Sequence, residues 1–159
     1  MLNYVEEHFA GQRAKLRVVT AFLRLGIRVD GSGRIFCERI GLAPAKVGRA
    51  LGVDRRVVIE TAKEIAGDPE LSQVFSGLVP VANVSKAAKL FGHDVIEISA
   101  DPNSIGVVAK VSGILSRHGV GIRQIIADDP DLYPEPKISV VVDGRLPQKA
   151  LLLQAMPPQ

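Results

Sequence analysis

Apolar positions change period near the middle of this chain, and that change organises the whole reading. From Arg13 to Leu25, Leu16, Val19, Phe22 and Leu23 recur at helical spacing and Gly26 closes the run, which predicts an amphipathic helix with a glycine stop. Ile27, Val29, Ile35 and Cys37 then fall on alternate positions around Asp30-Gly31-Ser32-Gly33, the pattern of a short β-hairpin within Ile27 to Ile40. Helical spacing returns from Pro44 to Leu51 and from Asp54 to Ala66. Gly67 ends the second of these, and Asp68-Pro69 restarts a helix with an N-cap and a first-turn proline, burying Leu71, Val74, Phe75 and Leu78. Ser85 to Phe91 predicts a short last helix stopped by Gly92. Beyond it, Ile96 and Ile98 alternate with Glu97 and Ser99 in a strand from Asp94 to Ala100. A helix follows from Gly106 to His118, with Val107, Val108, Val111, Ile114 and Leu115 on one side and Gly119 as its stop. Ile122 to Ala127 and Ile138 to Val142 read as strands, and Leu146 to Met156 as a final helix.

These elements predict an α+β chain of two domains, residues 1–92 and 93–159, divided where helical period gives way to strand alternation at Gly92-His93. Gly77 to Val84, with Pro80 inside it, reads as a hinge. The second domain runs β-α-β-β-α, five elements of the split β-α-β (ferredoxin-like) motif. Pro157-Pro158-Gln159 cannot supply its last strand, so the strand from Asp94 to Ala100 is expected as an open edge, an association liability or a dimerisation surface, with truncation of the chain or a partner over the edge as the two explanations.

The stretch from Val47 to Thr61, VGRALGVDRRVVIET, reads as a helix-turn-helix. Gly48 is small enough for one helix to cross closely over another, and Gly52 sits at the turn, where positive φ costs glycine least. Val47, Leu51, Val53 and Val58 fall where the helices bury side chains against each other. Asp54 is the expected N-cap of the second helix. Thr61 departs from the pattern, since an aliphatic residue is more usual there. Residues near the start of a recognition helix reach base edges in the major groove, so Arg49, Arg55, Arg56 and Lys63 are the expected DNA contacts. Arg55 and Arg56 lie about 100° apart on the helix, one positioned to read a base and the other to hold phosphate. Trihelical folds also mediate protein contacts, and that is the plain alternative.

Charge sharpens the division. Residues 1–92 carry 14 Lys+Arg against 9 Asp+Glu, a net +5, whereas residues 93–159 carry 6 against 8, a net −2. A basic front half suits a polyanion. Aromatic residues are only 4% and tryptophan is absent, which argues against a stacking platform for single-stranded nucleic acid. Cys37 is the single cysteine, so no internal disulfide forms; it is expected as a small buried hydrophobe. No apolar run resembles a signal peptide or a membrane span, and a cytoplasmic protein is expected. His8, His93 and His118 are scattered without metal-ligand spacing, and neither a GxGxxG nor a Walker-type loop occurs. His118 is expected at a helix C-terminus, capping carbonyls. Nothing here points to an enzyme, a metal or a cofactor.

In the back half, Asn103-Ser104-Ile105-Gly106 is similar to the Asn-x-x-Gly loop of ACT domains, small-molecule sensors of amino-acid metabolism. Together GVDRRVV, GIRQIIADDP and the element order from about Arg13 to Met156 resemble archaeal predicted regulators of amino-acid metabolism, which join an N-terminal helix-turn-helix to an ACT domain. ACT loops often read Pro-Gly; Ile105 takes the proline position here. The resemblance implies an amino-acid effector at the loop from Asp101 to Val107, carried directly onto Asn103 and Gly106 and by position onto Asp101. Helix-start N–H groups and the helix dipole there favour a carboxylate. The plain alternative is that Ser104 merely caps the helix and Asn103 makes a turn. Arg123 and Gln124 form a second candidate cluster. They point to opposite faces of a strand, so only one can face a ligand or a dimer partner. Alternatively, Arg123 pairs with a local carboxylate and Asp128-Asp129 is a solvated turn. The resulting expectation is a dimeric, ligand-responsive transcriptional regulator of amino-acid metabolism. A non-DNA-binding regulatory subunit giving feedback control of a biosynthetic enzyme is the alternative, and a back half that only oligomerises is a third.

Overall fold

The computed structural model describes residues 2–99 and 105–147. The protein is α+β and divides into two compact units between Val81 and Ala82. That division falls inside the Gly77 to Val84 stretch rather than at Gly92-His93, because residues 82–92 pack with the strands that follow them.

In the first unit, α1 (Leu2–His8) and α2 (Arg13–Leu25) lead into a three-stranded antiparallel sheet of β1 (Ile27–Val29), β2 (Ile35–Cys37) and β3 (Ile40–Gly41). Then come α3 (Pro44–Leu51), α4 (Arg55–Gly67) and α5 (Pro69–Ser76). The expected hairpin forms, paired Ile27 with Cys37 and Val29 with Ile35; the two-residue β3 and helix α1 carry too little periodicity to be read from sequence. One core gathers every element except β3, with Phe9, Val19, Phe22, Ile65, Leu71 and Phe75 fully buried. Cys37, expected to be buried, is only half-buried.

Carboxylates set the helix starts. Asp54 Oδ1 accepts from the Arg56 N–H at 2.7 Å at the start of α4, and Asp68 Oδ1 accepts from the Leu71 N–H at 2.9 Å at the start of α5. Asp68 Oδ2 also accepts from the Tyr4 hydroxyl at 3.0 Å, fastening α1 to the α4–α5 corner. His8 Nε2 lies 3.1 Å from Glu64, which also takes Lys15 at 2.6 Å. The Leu71 N–H, with Tyr4 and the nearby His8 adding to it, holds the Asp68 carboxyl below its ordinary range. The same contact, chiefly the bond to Asp68, pushes the Tyr4 phenol up.

The second unit contains a 3₁₀ turn at Ala88–Phe91, then β4 (Val95–Ile98), α6 (Val107–Arg117), β5 (Ile122–Ala127) and β6 (Ile138–Val142). The helix expected from Ser85 to Phe91 is thus only that turn, closed by Gly92 in the left-handed region. The sheet is antiparallel in the order β4-β6-β5, with Ile96 opposite Val140 and Ile125 opposite Val140 from the other side. Strands β4 and β5 are parallel, joined by α6 and separated by β6, which is a split β-α-β arrangement. Among the described residues β4 is an edge. The expected final helix lies outside them from Gln148 onward, and Leu146 and Pro147 are irregular. The inner face of the sheet packs Ile96, Val140 and Val142 against Val111 and Leu115 of α6, with Leu146 closing one end.

Acid should loosen the Asp68 corner. Because its folded pKa is lowered, the stability it contributes is complete above about pH 4, the ordinary Asp range, and disappears as pH falls through the lower folded value. Urea midpoints measured across that range should fall less steeply in Asp68→Asn than in the parent.

Candidate nucleic-acid interface and effector region

Helices α3 and α4 are joined by Gly52, Val53 and Asp54 alone. Gly52 closes α3 at φ 65°, and its N–H and that of Val53 bond back to carbonyls of Arg49 and Gly48. A Cβ on Gly48 would sit 2.8 Å from the Val53 carbonyl oxygen, so only glycine lets the turn fold back this tightly. Arg17 of α2 donates to the Leu51 carbonyl at 3.4 Å, placing a cation at the negative end of α3. Thr61 is completely buried, and its hydroxyl donates to the Val57 carbonyl at 2.7 Å. That bond explains how a polar residue occupies a core position: the one buried donor is satisfied within its own helix.

The outward side of α4 carries Arg55, Ile59 and Lys63 at successive turns, with Arg56 and Glu60 beside them, all exposed. Arg49 is exposed on α3. None of Arg49, Arg55, Arg56 or Lys63 forms an ion pair or side-chain hydrogen bond with another described residue. The stripe from Arg55 to Lys63 is about 12 Å long. Its far end abuts the hairpin: an added Cβ on Gly33 would lie 3.3 Å from the Lys63 Cα, so Lys63 projects beside the Asp30–Gly33 turn. That turn is held by Asp30, which accepts from the Ser32 hydroxyl at 2.7 Å, the Arg34 N–H at 3.0 Å and the Arg34 guanidinium at 2.8 Å. These bonds, that from Ser32 foremost, hold its carboxyl well below the usual carboxylate range. Ile59 does not stand out in the sequence, although its signal is there: it lies four residues after Arg55 and off the face of Val58, Ala62 and Ile65.

The effector-loop candidates divide. Asp101, Asn103 and Ser104 lie outside the described residues. Ile105 is 100% exposed, and Gly106 is the N-cap of α6 at φ 83°, with no side-chain hydrogen bond from another described residue capping the helix. The cap therefore falls two residues after Ser104. Val107 opens α6 and is half-buried.

Arg123 and Gln124 straddle a β-bulge on β5, where the register steps between Ile122 and Gln124. The Arg123 guanidinium donates to Asp143 at 3.0 Å, the local pairing. Gln124 donates to the Ala82 carbonyl at 2.7 Å and accepts from the Val84 N–H at 3.0 Å. Its amide thereby clamps the segment 82–91 against the outer face of the sheet, where Ala88 and Val141 are buried. This strap is not legible in the sequence, which offers no partner for Gln124 forty residues away. Asp128 and Asp129 accept backbone N–H groups of Lys137 and Asp131, which makes this segment a turn.

The histidines serve the scaffold: His8 meets Glu64, the Gly144 N–H donates to His93 Nδ1 at 3.0 Å, and His118 ends α6. Among the described residues no group of three or more His, Cys, Asp or Glu is placed to hold a metal ion, and no helix is long and apolar enough to cross a membrane. Comparison with protein-family models, with curated proteins and with solved structures finds no match.

If Gln124 is what seats the strap, Gln124→Ala should raise amide exchange at Val84 roughly tenfold, the equivalent of about one net hydrogen bond. Exchange in α4 should stay unchanged, and an unaltered Val84 would refute the clamp.

Proposed function

We propose that the protein is a ligand-responsive transcriptional regulator of amino-acid metabolism, acting in the cytoplasm as a dimer. Its first unit binds DNA and its second takes a small metabolite, an amino acid. One observation carries the reading: a tight two-helix corner presents four cations, Arg49, Arg55, Arg56 and Lys63, that no described residue neutralises. Charged side chains with local partners gain little at a surface, whereas unpaired arginines on a capped helix start are ready for phosphate and base edges. Ile59, exposed between them, supplies an apolar contact of the kind that thymine methyls accept. Support for the effector half is the split β-α-β order together with the Asn-x-x-Gly loop, in which Asp101, Asn103 and Gly106 would meet the amino acid. Dimerisation is supported by the paired half-sites such heads read and by the edge that β4 leaves open among the described residues. No catalytic residue and no cofactor are assigned.

The test is selection of duplexes from random sequence, followed by affinity measured against salt. A selected duplex should bind with a steep salt dependence. Arg55→Ala combined with Arg56→Ala should abolish sequence preference and lower the salt slope by about 0.9 for each phosphate that no longer meets an arginine. Lys110→Ala, on α6, should leave both unchanged. Full retention of specific binding in the double variant would defeat the assignment of α4, and failure to select any duplex would leave regulation of an enzyme partner as the better reading.

A further inference from the structure

The strap and the edge strand border an open groove of about 450 Å³, lined among the described residues by Ser85, Lys86 and Lys89 on one side and Val95 and Glu97 of β4 on the other. That volume lies within the range of small-molecule sites, about 300–1,000 Å³. The strap wall is preset by contacts away from the groove. Gln124 fixes its start, Asn83 Oδ1 accepts from the Ser85 N–H at 3.0 Å, Ala88 is buried, and the His93 N–H donates to the Ala88 carbonyl at 3.0 Å. The strand wall is equally fixed, because Ile96, between the two groove residues, is fully buried in the opposite face. Neither lysine forms an ion pair with Glu97 or with any other described residue, although all three line one space.

We propose that this groove binds an acidic α-amino acid, of the aspartate or glutamate type. Among the described residues two lysines and one glutamate, all exposed, line this space, an excess of one positive charge. A dicarboxylic amino acid mirrors that set: each of its carboxylates meets a lysine, its ammonium meets Glu97, and its methylenes lie on Val95. A neutral amino acid leaves one lysine unmatched. A phosphate or a simple dicarboxylate leaves Glu97 facing an anion, which is unfavourable at close range. The inference rests on the effector reading only in expecting an amino acid in the second unit; the charge class comes from the groove, and the site differs from the Asp101 to Val107 loop.

The experiment is calorimetric titration of the full chain with L-glutamate and L-aspartate, and with glutarate and L-glutamine for comparison. One of the two acids should bind saturably and more tightly than either comparison compound. Lys86→Met and Lys89→Met, which keep the aliphatic stem, should each weaken it at least about tenfold, the size of one charge-assisted hydrogen bond. Glu97→Gln should weaken the amino acid and strengthen glutarate. Lys110→Ala, on α6 and outside the groove, should leave the affinity unchanged. Binding that survives both lysine variants but is lost in Asn103→Ala overturns the groove and leaves an amino-acid sensor standing. Absence of binding by either acid overturns the groove, and absence across all twenty amino acids overturns the sensor with it. DNA affinity, measured on the same samples without ligand, reports on the regulator reading separately.

Discussion

The first unit depends on how closely the backbone of α3 passes the turn that follows it. Gly48 lies against the Val53 carbonyl with no room for a methyl group, and that approach lets a three-residue connection bring α4 back across α3. Everything that α4 does follows from it. Its inner face reaches the core through Val58, Ala62 and Ile65, with Thr61 admitted because its hydroxyl is satisfied by Val57. Its outer face is left bare, so Arg55, Arg56, Ile59 and Lys63 share one exposed side. A side chain at position 48 would push the helices apart, loosen the core and shift Arg49 relative to the cations of α4. Hydrophobic burial stabilises the corner, but the glycine decides its geometry.

Local signals account for most of what is legible in the sequence. Asp54 and Asp68 announce helix starts because a short carboxylate reaches N–H groups only two or three residues away. Gly26 and Gly52 announce helix ends for a matching reason. The bounds of α2, β5 and β6 are legible because a glycine or a polar residue breaks the apolar run at their ends. Where the pattern falls short, the deciding contact is distant in sequence. Ser85 to Phe91 has helical spacing, yet it forms only a 3₁₀ turn at Ala88–Phe91, and the residues just before it are bonded through Gln124 to a sheet assembled from later residues. The boundary expected at Gly92-His93 moves for the same reason: composition changes there, but packing does not.

The candidate interfaces are legible to unequal degrees. Cations on α4 can be named because a helix repeats every turn and its inner face is marked by valine and isoleucine. Arg123 and Gln124 can be placed on a strand, but a bulge and two remote partners, Asp143 and the strap, determine what each does. The groove is invisible for a deeper reason. Lys86, Lys89 and Glu97 look like ordinary solvated charges in sequence, and only the sheet order brings them to one space while leaving them unpaired.

A groove with one wall from a strap and the other from a strand also has the thermodynamic property that a sensor requires. A ligand shifts an equilibrium only by the difference in its affinity for the two states. Were both walls on one rigid strand, seated and lifted forms of the strap would bind equally and nothing would change. Here the lysines belong to residues 85–89 and the glutamate to β4, so a ligand touching both binds the seated form alone. The strap is held by one amide pair at Gln124, the buried Ala88 and the backbone bond at His93, each a modest contact. The strap begins directly after Val81, where the chain leaves the first unit.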